Sequence, residues 1–321
     1  MNPGLASRRR FIGGASLAAV GAALGSRSHA LAQAQSTFKL GVITDEISHD
    51  FEHACAVASQ EFGLQWVALR TLWKWSIVDL DSSALSRAKS ILKKYNLRVS
   101  DIAGPLFKVD WPGAPLSKFS TKQNFATDDF AHQHHVLSRC LALAKQFDVD
   151  KIRCFDFWRL DDVAPHREAI DDLLRAATEA SAKQGILLVV QNDFECNTAT
   201  AAEAARLLRA VPDIWFDWDP ANSVMAGEVD AFPGGWGLLP KDRIRHCHCK
   251  NVARSAAGTL EWSPVDVGLI DWTAQFRALK EAGYRDGISL ETHWRGGGTP
   301  EACSRISWAA MKRALEASGT L

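Results

Sequence analysis

The chain has 321 residues, with 37 Lys plus Arg against 37 Asp plus Glu and a formal net charge of zero. Because no long run of either sign appears, this balance argues against a nucleic-acid or membrane-surface partner and favours a small neutral or weakly charged ligand. Seven scattered cysteines, an odd number, are unlike the dense even framework of a small secreted scaffold, and at least one must stay unpaired in a monomer.

In chain order, Ser7-Arg8-Arg9-Arg10-Phe11-Ile12 is a twin-arginine signature. A small apolar run over 13–25 and Ala30-Leu31-Ala32 follow it, completing the charged, apolar and cleavage regions of a signal peptide. Cleavage is expected after Ala32, with export to the periplasm or beyond. The apolar run is shorter than the roughly 20 residues of a spanning helix, so no stable membrane anchor is expected. Residues 33–321 then form one domain, a length that suits a single (β/α)8 barrel, an α/β fold that routinely runs to ~250 residues.

Along this domain, short apolar β-branched runs alternate with amphipathic stretches of helical period, as in successive βα units around a parallel sheet. Strands are predicted at 38–44, 66–70, 99–103, 151–155, 186–191, 214–219, 244–250 and 287–291. Helices are predicted at 51–62, 85–95, 130–147, 167–184, 199–210, 272–282 and 300–317. The sixth connection contains Pro233-Gly234-Gly235-Trp236-Gly237 and reads as a loop or broken turn, while 104–128 reads as a long polar loop. An open doubly wound sheet is the alternative fold. It is disfavoured because the first strand is followed by Ile43-Thr44-Asp45-Glu46 and not by a glycine-rich phosphate turn.

Polar residues at the C-terminal ends of barrel strands converge on one face, where barrel enzymes carry their chemistry. Four late strands end in such residues: Gln191-Asn192-Asp193, Asp219-Pro220-Ala221-Asn222, His246-Cys247-His248-Cys249-Lys250-Asn251 and Glu291-Thr292-His293. Carboxylate, imidazole and amide donors of this kind suit Mn2+, Mg2+, Co2+ or Zn2+. Period-two alternation puts His246, His248 and Lys250 on one face and turns Cys247 and Cys249 toward the helices. Many of the twelve tryptophans, including Trp73, Trp75, Trp111, Trp158, Trp218, Trp236 and Trp294, fall at or just beyond strand ends. Indole faces there can stack on sugar CH surfaces. Lys108 and Arg70 are candidate hydroxyl or anion contacts, or else ion pairs at the barrel mouth.

In Trp218-Asp219-Pro220-Ala221-Asn222, His246-Cys247-His248-Cys249-Lys250-Asn251 and the run from Gly283-Tyr284 to Glu291, the sequence resembles the xylose-isomerase-like TIM-barrel superfamily. That superfamily includes sugar phosphate isomerases and epimerases, inosose dehydratases and the endonuclease IV type of nuclease, and the resemblance spans the mature chain. It implies Asp219, His248 and Glu291 as metal ligands, with the fourth position falling on Gln191, where the family usually has glutamate. In the family's epimerases two metal-bound glutamates exchange protons across the substrate, and an amide cannot serve as such a base. Either Lys108, Asp193, Glu195 or Lys250 takes the second proton, or the reaction needs one base. Asn251 stands where aspartate is common, a change expected to affect a hydrogen bond outside the metal's own ligands. The reading is a metal-dependent sugar isomerase or epimerase. Glu291, Lys250 and Lys108 are its catalytic candidates, and Trp73, Trp111, Asn192, Asn222 and His246 are expected on a small carbohydrate. A dehydratase or lyase of the same superfamily, or a non-catalytic periplasmic carbohydrate-binding protein, is the alternative, and a homo-oligomer is compatible with all of these.

Overall fold

The computed structural model describes Met1 and residues 36–120 and 129–321. The twin-arginine segment, the cleavage site and residues 121–128 of the third connection lie outside the described residues.

Eight parallel strands close into a barrel: β1 (Lys39–Ile43), β2 (Trp66–Leu69), β3 (Arg98–Ile102), β4 (Lys151–Cys154), β5 (Leu187–Gln191), β6 (Trp215–Trp218), β7 (Ile244–Cys249) and β8 (Gly287–Leu290). Each pairs with its neighbours in sequence, and β8 pairs with β1. Every predicted strand is found with its ends displaced by no more than one residue. Runs such as Leu187-Leu188-Val189-Val190 are apolar on both faces because a parallel barrel strand meets helices on one side and the interior on the other.

The covering helices are α1 (Phe51–Ala56), α2 (Ser82–Lys94), α3 (Gln133–Gln146), α4 (Arg167–Ala182), α5 (Ala201–Ala210), α6 (Pro220–Met225), α7 (Trp272–Glu281) and α8 (Pro300–Ser318). Side-chain oxygens start most of them: Asp50, Asp81, Asp219, Asp271 and Thr299 accept from first-turn amides, and Thr200 with Glu203 forms a reciprocal capping box. The sixth connection is more ordered than a loop. Pro220 opens α6 directly after β6, and a turn over Ala231–Gly235 runs into Trp236–Leu238.

The main core lies between sheet and helices and takes in Leu188, Val190, Phe216, Trp218, Ile288 and Leu290. Cys247 and Cys249 belong to it, on the helix side as the alternation predicts, and all seven cysteines are buried free thiols. The interior of the barrel is polar by contrast. Asp101, Arg153, Asp217, His246, His248 and Ser289 are buried, and Ile43, Ala68 and Ala103 form a small separate apolar cluster. Extra residues in β3 and β7 shift the pairing, and the shift in β7 brings Asp217 level with His246.

At the N-terminal end of the barrel, Lys151 is buried and donates to Asp286 Oδ1 at 2.8 Å and to the Arg245 carbonyl at 3.2 Å. Burial pushes the Asp286 carboxyl up, but Lys151 and the half-exposed Lys39 outweigh it and hold its pKa below the usual 3.8. A depressed folded pKa contributes stability that is present above the unfolded pKa and lost as pH falls through the folded one. Lys151→Met is therefore expected to cost about 2–3 kcal/mol near neutral pH. Denaturant melts taken across pH should show this deficit shrinking below pH 3.8. A deficit that does not change with pH would assign it to packing instead.

Candidate metal centre at the barrel mouth

The predicted strand ends converge. Asp219 follows β6, His248 lies on the inner face of β7 and Glu291 follows β8, and one donor atom from each lies within 4.8 Å of the others. His248 Nδ1 is 3.2 Å from Glu291 Oε2 and 3.8 Å from Asp219 Oδ2. All three side chains are buried. Asp219 is fixed from behind, since its Oδ1 accepts from the Asn222 backbone at 3.0 Å and its own N–H donates to Asn192 Oδ1 at 2.8 Å.

A cation of the protein itself stands between the two carboxylates. Lys250 Nζ is 2.7 Å from Asp219 Oδ2 and 2.5 Å from Glu291 Oε2. Two desolvated carboxylates this close require compensating charge. Burial alone would drive the proton off Lys250, but Asp219 and Glu291 outweigh it and raise its pKa. His248 is likewise raised to about 10, because Asp217 and Glu291 overcome the burial that opposes its charge. Glu291 feels the reverse: burial pushes it up, yet Lys250, His293 and His248 hold it well below the usual carboxylate range.

The donor set fits a divalent cation, which would have to displace the Lys250 ammonium from Asp219 Oδ2 and Glu291 Oε2. Two carboxylates and one imidazole within this span are a hard-to-borderline set. His248 Nε2 has no hydrogen bond among the described residues and lies 3.4 Å from Asp217 Oδ2. Nδ1 faces Glu291 and Asp219 and is the nitrogen that would ligate, and a bound ion would have to take the place of the ring proton that Asp217 and Glu291 favour.

Gln191, expected as a fourth ligand, is present but turned away from that role. Its Nε2 lies 2.7 Å from His248 Nδ1 and donates to Asp219 Oδ2 at 3.1 Å, while its Oε1 accepts from Arg153 Nη1 at 3.1 Å. The buried guanidinium takes the amide oxygen, so the amide presents a donor to the ligands and not an oxygen to the ion.

A cavity of about 220 Å³ opens above the centre, lined by Arg70, Lys108, Arg153, Lys250, Glu291 and Trp262 among others. This is below the roughly 300–1,000 Å³ of a pocket for drug-sized ligands. Lys108 Nζ is 2.7 Å from Asp193 Oδ2 and 3.4 Å from Glu195 Oε2. Burial favours neutral Lys108, but Asp193 outweighs it and raises the pKa, so Lys108 is a held proton and not a free base. Glu46 and His293 also approach Glu291 closely enough to form a second donor group. Arg70 and Arg295 already occupy its oxygens: Arg70 sits 2.6 Å from Glu46 and 2.8 Å from Glu291, and Arg295 sits 2.8 Å from Glu46. It is an ion-pair network at the rim.

The expected ligand contacts divide. Asn222 lines the cavity and donates to Asp219 Oδ2 at 2.9 Å. Asn192 does not line it; it is a brace whose Nδ2 donates to Ala199 O, Asp219 O and Ser223 Oγ. His246 sits deeper in the barrel, within 3.0 Å of Ser289 Oγ. Trp73 packs edge-on against Phe51 and under Arg87, and Trp111 packs against Phe130 and Phe157, both outside the cavity lining. The tryptophans do not gather on one face. Trp75 is exposed, and Trp218 turns its Nε1 to Gln275 on α7. Asn251 hydrogen-bonds outside the donor set, bracing residues 265 and 270 through three hydrogen bonds and accepting a fourth from Val252 N.

Sequence reasoning missed Arg153 and Trp262. Arg153 had a signal, because alternation places it and Lys151 on the same inward face of an otherwise apolar strand. Trp262 had none: it is carried in by a hairpin of Asn251–Arg254 and Leu260–Ser263 that follows β7.

A family model described as Xylose isomerase-like TIM barrel matches residues 56–314. The chain belongs to this family. Solved structures agree on the fold. A xylose isomerase-like TIM barrel protein from Mycobacterium smegmatis in complex with magnesium superposes with a TM-score of 0.60 at 15% identity, covering 84% of this chain and 89% of that one. The probable 3-DHS dehydratase AsbF of Bacillus anthracis, involved in petrobactin synthesis, gives 0.62 at 20% identity over 86% and 98%. D-allulose 3-epimerase from Methylomonas sp. gives 0.61 at 16% identity over 88% and 98%. No curated protein matches the sequence significantly. Among the described residues, no helix is long and apolar enough to cross a membrane.

Proposed function

We propose that this xylose-isomerase-like barrel is a metal-dependent sugar isomerase that moves a proton between a carbonyl carbon and the carbon next to it. The observation that carries the reading is the convergence of Asp219, His248 and Glu291 within 4.8 Å at the mouth of the barrel. Those three side chains would hold Mn2+, Mg2+, Co2+ or Zn2+, with Gln191 donating to Asp219. When bound, the ion supplies Lewis-acid polarisation of the substrate carbonyl. The magnesium complex of one family member supports a metal here.

Glu291 is the proton acceptor. Its depressed pKa keeps it ionised and makes it a weak base, so transfer depends on acidifying the substrate carbon. Lys250 and Lys108, both held protonated at the cavity, can neutralise charge developing on the substrate oxygens. A shift of the proton on one face of an enediol needs a single base, whereas epimerisation with inversion needs a group on each face. Gln191 cannot be the second base, which favours isomerisation. Dehydration is the second reading, favoured by Lys108 as an acid beside a departing hydroxyl and by the probable dehydratase among the family's structures. The twin-arginine motif supports an exported enzyme acting on an unphosphorylated sugar.

The test is metal content of the purified protein, followed by deuterium incorporation from heavy water into a panel of aldoses and ketoses. Near-stoichiometric metal, lost in Asp219→Ala and His248→Ala, and deuterium beside the carbonyl of one sugar are expected. Metal-free wild type with no exchange into any panel member would turn the reading to a carbohydrate-binding protein.

A further inference from the structure

Among the described residues, Arg153 is the one arginine or lysine lining the cavity that has no carboxylate within 4.0 Å. Arg70 is held by Asp45, Glu46 and Glu291, Lys108 by Asp193 and Glu195, and Lys250 by Asp219 and Glu291. Arg153 instead meets neutral oxygens. Its Nη1 donates to Gln191 Oε1, its Nη2 donates to the Ala103 carbonyl at 2.7 Å and the Gly104 carbonyl at 3.4 Å, and its Nε is buried with no partner. The side chain is 4% exposed, and its guanidinium lies 4.7 Å from the centre of the Phe155 ring, which also faces the Lys108 ammonium at 4.8 Å. The buried carboxylates of Asp101 and Asp217 feel this guanidinium from farther off, but neither pairs with it directly, and a desolvated guanidinium without a direct ion pair is costly. Four cationic side chains line the cavity, and the three other than Arg153 are matched by six carboxylates, Asp45, Glu46, Asp193, Glu195, Asp219 and Glu291.

Position 191 decides whether Arg153 has a direct ion pair. Gln191 contacts Arg153 directly, and a glutamate there would pair with the guanidinium and cancel its charge. We infer that the cavity takes a carboxylate-bearing sugar, an aldonic, uronic or keto-sugar acid, whose carboxylate is balanced by Arg153, and that glutamine at 191 keeps that charge available. The sugar part of this ligand rests on the isomerase reading; the carboxylate part rests on Arg153. Because Nη1 and Nη2 already donate to Gln191 and to the Ala103 and Gly104 carbonyls, the Nε–H is the donor left for an incoming carboxylate.

The experiment is calorimetric binding of matched probes: D-gluconate, D-glucuronate and 5-keto-D-gluconate against D-glucose and D-fructose. It uses wild type, Arg153→Met, Arg153→Lys and Gln191→Glu, each checked for a cooperative melt. Wild type should bind at least one acid about 30-fold or more tighter than its neutral counterpart. Arg153→Met and Gln191→Glu should lose that preference, and Arg153→Lys should keep part of it. No preference for any acid in wild type, or a preference that survives in both Arg153→Met and Gln191→Glu, overturns the inference. Acid preference without metal or deuterium exchange leaves it standing and sinks the isomerase reading. Exchange into neutral sugars without acid preference does the opposite.

Discussion

Glu291→Gln is expected to lower solvent exchange into the substrate by at least about 10³-fold while the protein stays folded. Both oxygens of Glu291 are engaged: Oε1 with Arg70 at 2.8 Å and His293 at 3.2 Å, Oε2 with Lys250 at 2.5 Å and His248 at 3.2 Å. Glutamine keeps the shape but removes the base and one of the two carboxylates of the donor set, so metal content should fall with the rate. The fold survives because Lys250 retains Asp219, and Arg70 retains Asp45 and Glu46. Exchange followed by proton NMR, alongside metal content and a thermal melt, separates these effects. A loss of less than about tenfold would place the base elsewhere, with Asp193 and Glu195 beside Lys108 the next groups to replace.

Asn251→Asp is expected to destabilise the fold by about 3 kcal/mol or more. Asn251 uses every polar valence it has toward the backbone. Nδ2 donates to the Val265 carbonyl at 2.8 Å and the Ile270 carbonyl at 2.9 Å, and Oδ1 accepts from Val252 N at 2.9 Å and Ile270 N at 3.1 Å. An aspartate would set a buried negative charge against two carbonyl oxygens. Its folded pKa would be raised, so the penalty grows as pH rises above the unfolded value of about 3.9 and is smallest in acid. Urea melts at two pH values check both magnitude and sign. A deficit of under about 1 kcal/mol near neutral pH would mean that the loop re-pairs its carbonyls with water. Because the same residue opens the hairpin that carries Trp262 to the cavity, ligand affinity should weaken in parallel.

Much of the site was legible because its signals are local. Backbone pleat alone sorts His248 from Cys247 and Cys249, and a polar residue closing an apolar strand marks the mouth of the barrel whatever the neighbouring strands are. The tryptophans show where such reasoning fails. Position near a strand end does not say which way a loop carries an indole, so Trp73 and Trp111 went to packing, and Trp262, far along a hairpin, reached the cavity.

The sequence by itself determined the eight βα units, the barrel they form and the identity of Asp219, His248 and Glu291 as the converging donors. The units and the barrel follow from periodicity within one strand or helix and from the rule that parallel barrels gather strand ends on one face, while the choice of those three donors is what the resemblance to the family implies. Tertiary structure alone decided the charge partners: Lys250 between Asp219 and Glu291, Arg153 on Gln191, and Asn251 against residues 265 and 270. Those contacts join side chains on different strands and loops, brought within hydrogen-bonding distance only when the barrel closes. Their strength depends on the burial that closure creates, and no pattern along the chain encodes that.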